Sequence, residues 1–404
     1  MTDPRQAGPT MRVLMMTTPV PTHFTSLVPL AWGLRAAGHE VIVAAQPDVV
    51  PTARSAGLVA ASVGEKFDII AYLRSKLPDD KRPLEAWPRP AADQMGFFGR
   101  VWMNHARRML PDYLDLARDL RPDLIIAEQL EYASLLLGGI LGRPVIHHRW
   151  GVDGISDLAL RDARLELADL AAESGLPALP SPVHKLDPCP PSLQTPTAAA
   201  GTPIRYVPFN GTAVLPDWVR RGRLRDAGRR VVISLGSLTF FLNGAAFVRR
   251  LLWALDEIPA IEMIITVDPA FRDALHPLPS RVQVVDPTPL HLFLDTCDAV
   301  VHHGGAGTSM TATAAGLPQL VLPQIADAFD AGQRLQDVGA GLVLDQVATQ
   351  DDPGTLRDAV EALLSKPAYR EAALELRREM AGMPDPQQVA AELMRADVGA
   401  TVRG

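Results

Sequence analysis

What the 404-residue chain lacks narrows it first. It holds only two cysteines, Cys189 and Cys297, 108 positions apart. A disulfide framework is therefore excluded and a reducing compartment expected, with Cys297 read as a small core residue. No run of about 18 apolar residues and no apolar leader is present, so a soluble, cytoplasmic protein with no membrane partner is expected. No block of positive charge exists either. The 39 Lys and Arg stand against 46 Asp and Glu, a net charge of −7, which argues against nucleic acid as a partner. Asp-x-Asp occurs nowhere, so metal-clamped phosphate chemistry lacks its obvious ligands and no metal is expected. The P-loop pattern with its lysine is missing too. The pairs His147–His148 and His302–His303 cannot chelate as pairs, because neighbours on one strand point to opposite faces.

What is present is ordinary for a globular protein, with 47% hydrophobic and 21% charged residues, and the length suits two domains. Residues 1–10 are polar and read as a disordered lead-in. "MRVLMMTT", a helical stretch closed by glycine and "HEVIVAA" then form a βαβ unit. "RPDLIIAE", "YASLLLGGILG" and "RPVIHH" continue it. The same grammar restarts at "RRVVISLGS", with helices predicted at 244–257, 306–315 and 328–339. The proline-crowded stretch between them reads as linker or interdomain surface. The expected fold is α/β, two Rossmann-like doubly wound domains facing a central cleft. Residues 11–207 form the first domain, 208–228 the linker and 229–385 the second domain. A helix in 386–404 is expected to pack back on the first.

Two segments carry the chemistry. In "AVVHHGGAGTS", Ala299–Ser309, a strand end meets a glycine turn and a helix start. Ligands of open α/β sheets bind beyond such strand ends, glycine lets backbone approach an anion, and the helix terminus attracts phosphate. His303 and Thr308 are placed to donate to phosphate oxygens, and Asp327 follows the next strand at the same edge. The second segment, 67–105, holds Phe67, Tyr72, Trp87, Phe97, Phe98 and Trp102, six of the 22 aromatics. It reads either as satellite core or as the wall of a pocket for a flat, greasy molecule.

The motifs "PTHFTSLVPLAWGLRAAGHEV", "HRWGVD", "LDPCPPSLQ", "YVPFNG" and "HHGGAGTSMTATAAGLPQLVLPQIADAFDAG" together resemble the inverting, nucleotide-sugar-dependent glycosyltransferases of GT-B fold. They are most similar to the actinobacterial transferases that attach deoxysugars to polyketide antibiotics. The resemblance implies a dTDP-deoxysugar co-substrate, no cofactor and a hydrophobic aglycone as acceptor, and it leaves a homodimer open. It implies that His23 is the general base, oriented by Glu128. A histidine suits that role because its ordinary pKa lies near neutrality. On the donor side it implies His303, the backbone of Gly305, Ala306, Gly307 and Thr308, Ser237, Thr288 for the pyrimidine and Asp327 for sugar hydroxyls. On the acceptor side the aromatic segment and "HHRWGVD" imply Trp87, Phe97, Trp102, His148 and Trp150. Three departures stand out. Thr311 replaces a ribose-gripping glutamate and Ala328 a glutamine, both in keeping with a dTDP-deoxysugar, and Pro287 stands near the place of a base-stacking ring. A nucleotide-sugar 2-epimerase of the same architecture and a non-catalytic nucleotide-sugar-binding activator are the alternatives.

Overall fold

The computed structural model describes residues 10–222 and 228–395, without the side chains of Ala92, Asp93, Met95, Phe97 and Ser237. The lead-in 1–9, residues 223–227 of the expected linker, and the chain end from 396 lie outside the described residues. The first sheet contains β1 (Arg12–Met16), β2 (Glu40–Ala45), β3 (Val59–Ser62), β4 (Leu124–Glu128), β5 (Val145–His148), β6 (His184–Asp187) and β7 (Thr202–Pro203). Their order is β3-β2-β1-β4-β5-β6-β7, all parallel. The second contains β8 (Arg229–Ser234), β9 (Ile261–Thr266), β10 (Val282–Val285), β11 (Ala299–His302), β12 (Gln319–Val321) and β13 (Gly341–Val343), in the order β10-β9-β8-β11-β12-β13. These sheets are the two doubly wound halves.

Strand residues alternate between the two faces, and in a parallel sheet covered by helices both faces are core. Val13 and Met15 enter one apolar cluster while Leu14 and Met16 enter another on the opposite face. Val231 and Ile233 do the same against Val232 in the second sheet. Burial on both faces explains why the strands read as continuous apolar runs.

The chain passes between the halves within a few residues. Ile204 and Phe209 pack in the first core, whereas Val219, on the helix Asp217–Gly222, packs in the second. The helix Pro386–Arg395 returns, placing Val389, Ala390 and Leu393 against β1 and its following helix. Gly33 makes room for it, since a Cβ there would stand 3.0 Å from the Pro386 carbonyl carbon.

The helix expected at 244–257 begins earlier, at Gly236, and runs to Asp256 with a break at Gly244 (φ 73°, ψ 174°). That conformation is open essentially to glycine alone, so the residue divides a cleft-side segment from a core helix. Leu238–Asp256 is by length and composition able to cross a membrane, yet half of it is buried inside the protein. The helices at 306 and 328 start where expected, at Ala306–Ala315 and Ala328–Asp337.

Candidate active site

Each sheet reverses its strand order once, between β1 and β4 in the first and between β8 and β11 in the second. Such switch points open a crevice at the carboxyl ends of the strands. Both crevices contribute to one cavity of about 510 Å³, lined by His23 and Trp150 from the first half and by Ser234, His303 and Asp327 from the second. That volume falls within the usual range of small-molecule sites.

His23 sits on the single turn Pro21–Phe24 beyond β1. Trp150, from the loop after β5, stacks on its ring with centroids 3.9 Å apart and planes 30° apart, and Trp102 meets its edge at 5.9 Å. His23 Nδ1 lies 2.8 Å from Thr18 Oγ1. Burial pushes the imidazole down to about 3, so it is neutral, and able to accept a proton, throughout the physiological range. Glu128, the last residue of β4, is fully buried and stands 3.9 Å from Nδ1. It therefore makes no direct hydrogen bond to the imidazole. Its carboxylate instead accepts from the N–H groups of Leu130 (2.8 Å) and Thr18 (3.2 Å). Burial raises it to about 7 against the pull of those bonds and of the Thr18 hydroxyl. Glu128, expected to orient His23, has no direct bond to it: Thr18, five residues before the histidine, is the direct partner.

The Trp150 loop is held by a buried cation. Arg149 reaches Asp153 and Asp187 at 2.7 Å and Asp157 at 3.3 Å, with its side chain only 2% exposed. Those carboxylates come from the two motifs "HRWGVD" and "LDPCPPSLQ" and the helix between them.

The two histidines after β11 divide their work. His302 is buried. Its Nδ1 accepts from Gly304 N (3.1 Å) and its Nε2 lies 2.9 Å from Gln319 Oε1, so it shapes the turn. Gly304 has φ +91° and lies against Ala328, where a Cβ would stand 2.7 Å from that residue's Cβ, so only glycine fits. His303 lies against Gly236 and Gly305, where burial lowers its imidazole and a hydrogen bond to the Ser234 backbone opposes that. The helix Ala306–Ala315 begins with Gly305 as N-cap and no side-chain cap, which leaves its first N–H groups at the cavity. Thr308 N is taken by Gly305 O at 3.1 Å, so its amide is spent within the turn. Thr288 lines the cavity with its hydroxyl turned to Asp286 O at 2.8 Å. Asp327 lines it with no hydrogen bond from the helix it precedes, and burial raises its carboxyl to about 6. Ala326 before it adopts φ +47°, a strained conformation for a residue with a Cβ.

Several expectations change. Thr311 is buried and does not line the cavity. Its hydroxyl lies 2.6 Å from Gly307 O, 3.0 Å from Asn210 Nδ2 and 3.3 Å from the Tyr206 hydroxyl. Asn210, which sequence reading missed, lines the cavity in its place. Of the expected acceptor-side residues whose side chains are described, only Trp150 lines the cavity. His148 is buried with Nδ1 against Arg149 O, Trp102 is buried behind His23, and Trp87 is half-buried at the end of the turn Pro83–Ala86. Among the described side chains of the aromatic excursion, Pro83 lines the cavity. The side chains of Phe97 and Ser237 lie outside the described residues. Among the described residues no cluster of three metal-ligating side chains occurs.

Residues 32–236 match the family described as Erythromycin biosynthesis protein CIII-like, N-terminal domain, and residues 249–396 the corresponding C-terminal domain. The chain is 36% identical to the L-demethylnoviosyl transferase of Streptomyces niveus, over 94% of this chain and 97% of that protein. It is 34% identical to the 10-deoxymethynolide desosaminyltransferase of Streptomyces venezuelae, over 95% and 97%. Spinosyn rhamnosyltransferase SpnG superposes with a TM-score of 0.84 at 37% identity, over 95% of this chain and all of that one. SpnG has been solved with thymidine diphosphate and with spinosyn aglycone.

Proposed function

The chain belongs to the Erythromycin biosynthesis protein CIII-like family of glycosyltransferases, and we propose that it moves a deoxysugar from a dTDP-sugar to a hydrophobic polyketide-type aglycone with inversion at the anomeric carbon. One observation carries the reading. The cavity between the two switch points sets a neutral, stacked imidazole on one wall against a helix terminus and a second imidazole on the other. The thymidine diphosphate complex of SpnG and the deoxysugar transferases among the relatives support the donor class.

In this mechanism the acceptor hydroxyl oxygen attacks the anomeric carbon while His23 Nε2 takes its proton. The bond from that carbon to the diphosphate oxygen breaks. His303 and the free amides at Gly305–Gly307 receive the charge that develops there, which a preorganised helix end does without reorganising. Asp327 holds sugar hydroxyls, the Thr288 backbone meets the pyrimidine, and Asn210, fixed by Thr311 and Tyr206, faces the nucleoside sugar. Trp150 and Pro83 supply the apolar acceptor wall. The contribution of Pro83, from the long stretch between β3 and β4, favours transfer to an acceptor over 2-epimerisation.

The test is product formation by mass spectrometry from a panel of dTDP-sugars and polyketide aglycones, in EDTA, with the wild type, His23→Ala and His303→Ala. His303→Ala is expected to weaken dTDP binding and turnover together. His23→Ala is expected to leave dTDP affinity within a few-fold and to lower kcat by about 10²–10⁴. Near-normal kcat in His23→Ala refutes the base, and turnover abolished by EDTA refutes the metal-free donor site.

A further inference from the structure

We propose that Thr18 is the positioning residue of the general base, its hydroxyl bridging His23 Nδ1 to the Glu128 carboxylate so that Nε2 faces the cleft unprotonated. The inference rests on the reading of His23 as base. It deepens that reading by assigning the histidine's partner to a hydroxyl rather than a carboxylate.

Three observations converge on the bridge. Thr18 Oγ1 lies 2.8 Å from Nδ1, whereas the nearest carboxylate oxygen lies at 3.9 Å. The Thr18 N–H donates to the Glu128 carboxylate at 3.2 Å, so one residue touches both ends of the chain. Thr18 itself is completely buried and locked by the local turn, its carbonyl accepting from Val20 N at 2.7 Å and its extended neighbour Thr17 donating to the same oxygen at 3.1 Å. A hydroxyl has one proton and can donate only once. With Glu128 ionised, the chain therefore runs in one sense: Nδ1–H donates to Oγ1, and O–H donates to the carboxylate. That sense places the imidazole lone pair on Nε2, which has no protein partner and belongs to a residue lining the cavity. When Nε2 takes the acceptor proton, Nδ1 keeps its own. No proton travels along the chain, and the carboxylate stabilises the new imidazolium through the polarised hydroxyl.

A carboxyl that gains a proton reverses the chain, since it then donates to Oγ1 and Oγ1 donates to Nδ1. The surroundings make that sensitive to pH. Glu131 is buried beside Glu128 and is itself 3.2 Å from His105, and the hydroxyls of Tyr113 and Tyr132 lie in the same apolar pocket without partners. Trp150 lies on the face of His23 and Trp102 at its edge, and neither brings a charge. The proposal thus predicts an acid limb in kcat that belongs to the His23–Thr18–Glu128 unit.

The experiment compares Thr18→Val and Thr18→Ser, each alone and combined with His23→Ala, by kcat, KM, dTDP affinity and the ¹⁵N chemical shifts of His23. Thr18→Val is expected to lower kcat about 10- to 100-fold, the size of one hydrogen bond to a group that becomes charged. KM and dTDP affinity should stay within about two-fold, and the His23 signal should change from one tautomer to a mixture. Thr18→Ser should restore both. In the His23→Ala background Thr18→Val should cost nothing further, as for groups that act as one unit. The bridge is overturned if Thr18→Val keeps wild-type kcat and a single tautomer while His23→Ala is inactive, or if it costs the same in both backgrounds. If His23→Ala itself remains active, the base assignment fails instead, and the tautomer measurement still decides whether Thr18 holds the ring.

Discussion

Gly305→Ala isolates the phosphate wall of the cleft. Gly305 adopts φ −60° and ψ 134°, which any residue can take, so an added methyl introduces no backbone strain. The same methyl would stand 2.9 Å from His303 Cε1 and closer still to Nε2. Ordinary carbon contacts begin near 3.5 Å, so the imidazole must move by at least about 0.6 Å. Gly236 also flanks the ring, since a Cβ there would stand 2.9 Å from Cε1. Displacing the ring from the diphosphate removes one hydrogen bond to a charged group, about 1.5–3 kcal/mol, or roughly a 10- to 150-fold weaker Kd for dTDP. Titration calorimetry with dTDP reads the affinity, and thermal unfolding checks that the fold survives, because crowding a packed site costs about 1–3 kcal/mol of stability. Binding within two-fold of wild type in a folded variant refutes the argument that His303 is held in place by two glycines.

The remaining predictions concern stability. Arg149→Met should destabilise the protein by about 3–5 kcal/mol, because Asp153 and Asp187 lose their buried counter-charge. It should also lower kcat by freeing the Trp150 loop, and urea unfolding within 1 kcal/mol of wild type overturns this. Acid should destabilise the fold. Burial depresses His23, His147 and His302 to about 3 and His148 to about 4. A depressed histidine contributes stability above its unfolded value near 6.5, and that stability is lost as pH falls toward 3–4. Glu128 and Asp327, raised to about 7 and about 6, act in the opposite sense, contributing below their unfolded values and less as pH rises through 6–7. Near pH 5 the four histidines outnumber the two carboxyls, and each net proton is worth about 1.4 kcal/mol per pH unit. A Tm that stays constant from pH 7 to 4.5 contradicts the sum.

The turn after β11 was legible because its information is local. A β-branched strand, two glycines and a helix start within ten residues admit few geometries, and the helix does run Ala306–Ala315 behind His303. The surroundings of Thr311 were not legible, for a reason no local pattern carries. Its hydroxyl is claimed by Tyr206 and Asn210, about a hundred residues earlier, and of these it is Asn210 that lines the cavity. The aromatic segment offered the same ambiguity. Aromatics cluster in 67–105, yet most of those described pack as core and a proline reaches the cavity. Composition reports how much apolar surface a segment carries and not which side of it faces a neighbour.

The amino-acid order by itself determined the two βαβ halves, the glycine turn after β11 and the position of a histidine beyond the first strand. Periodicity, glycine and helix-start signals are short-range and follow from backbone sterics. Only the tertiary structure decided what surrounds that histidine. The strand crossing that sets β4 beside β1 brings Glu128 to within 3.9 Å of a ring 105 positions earlier, with Thr18 interposed, and the packing of β5 beside β4 lays Trp150 across its face. Strand order is chosen by which helix-covered arrangement buries the most apolar surface over the whole domain, and that sum is not written in any one segment.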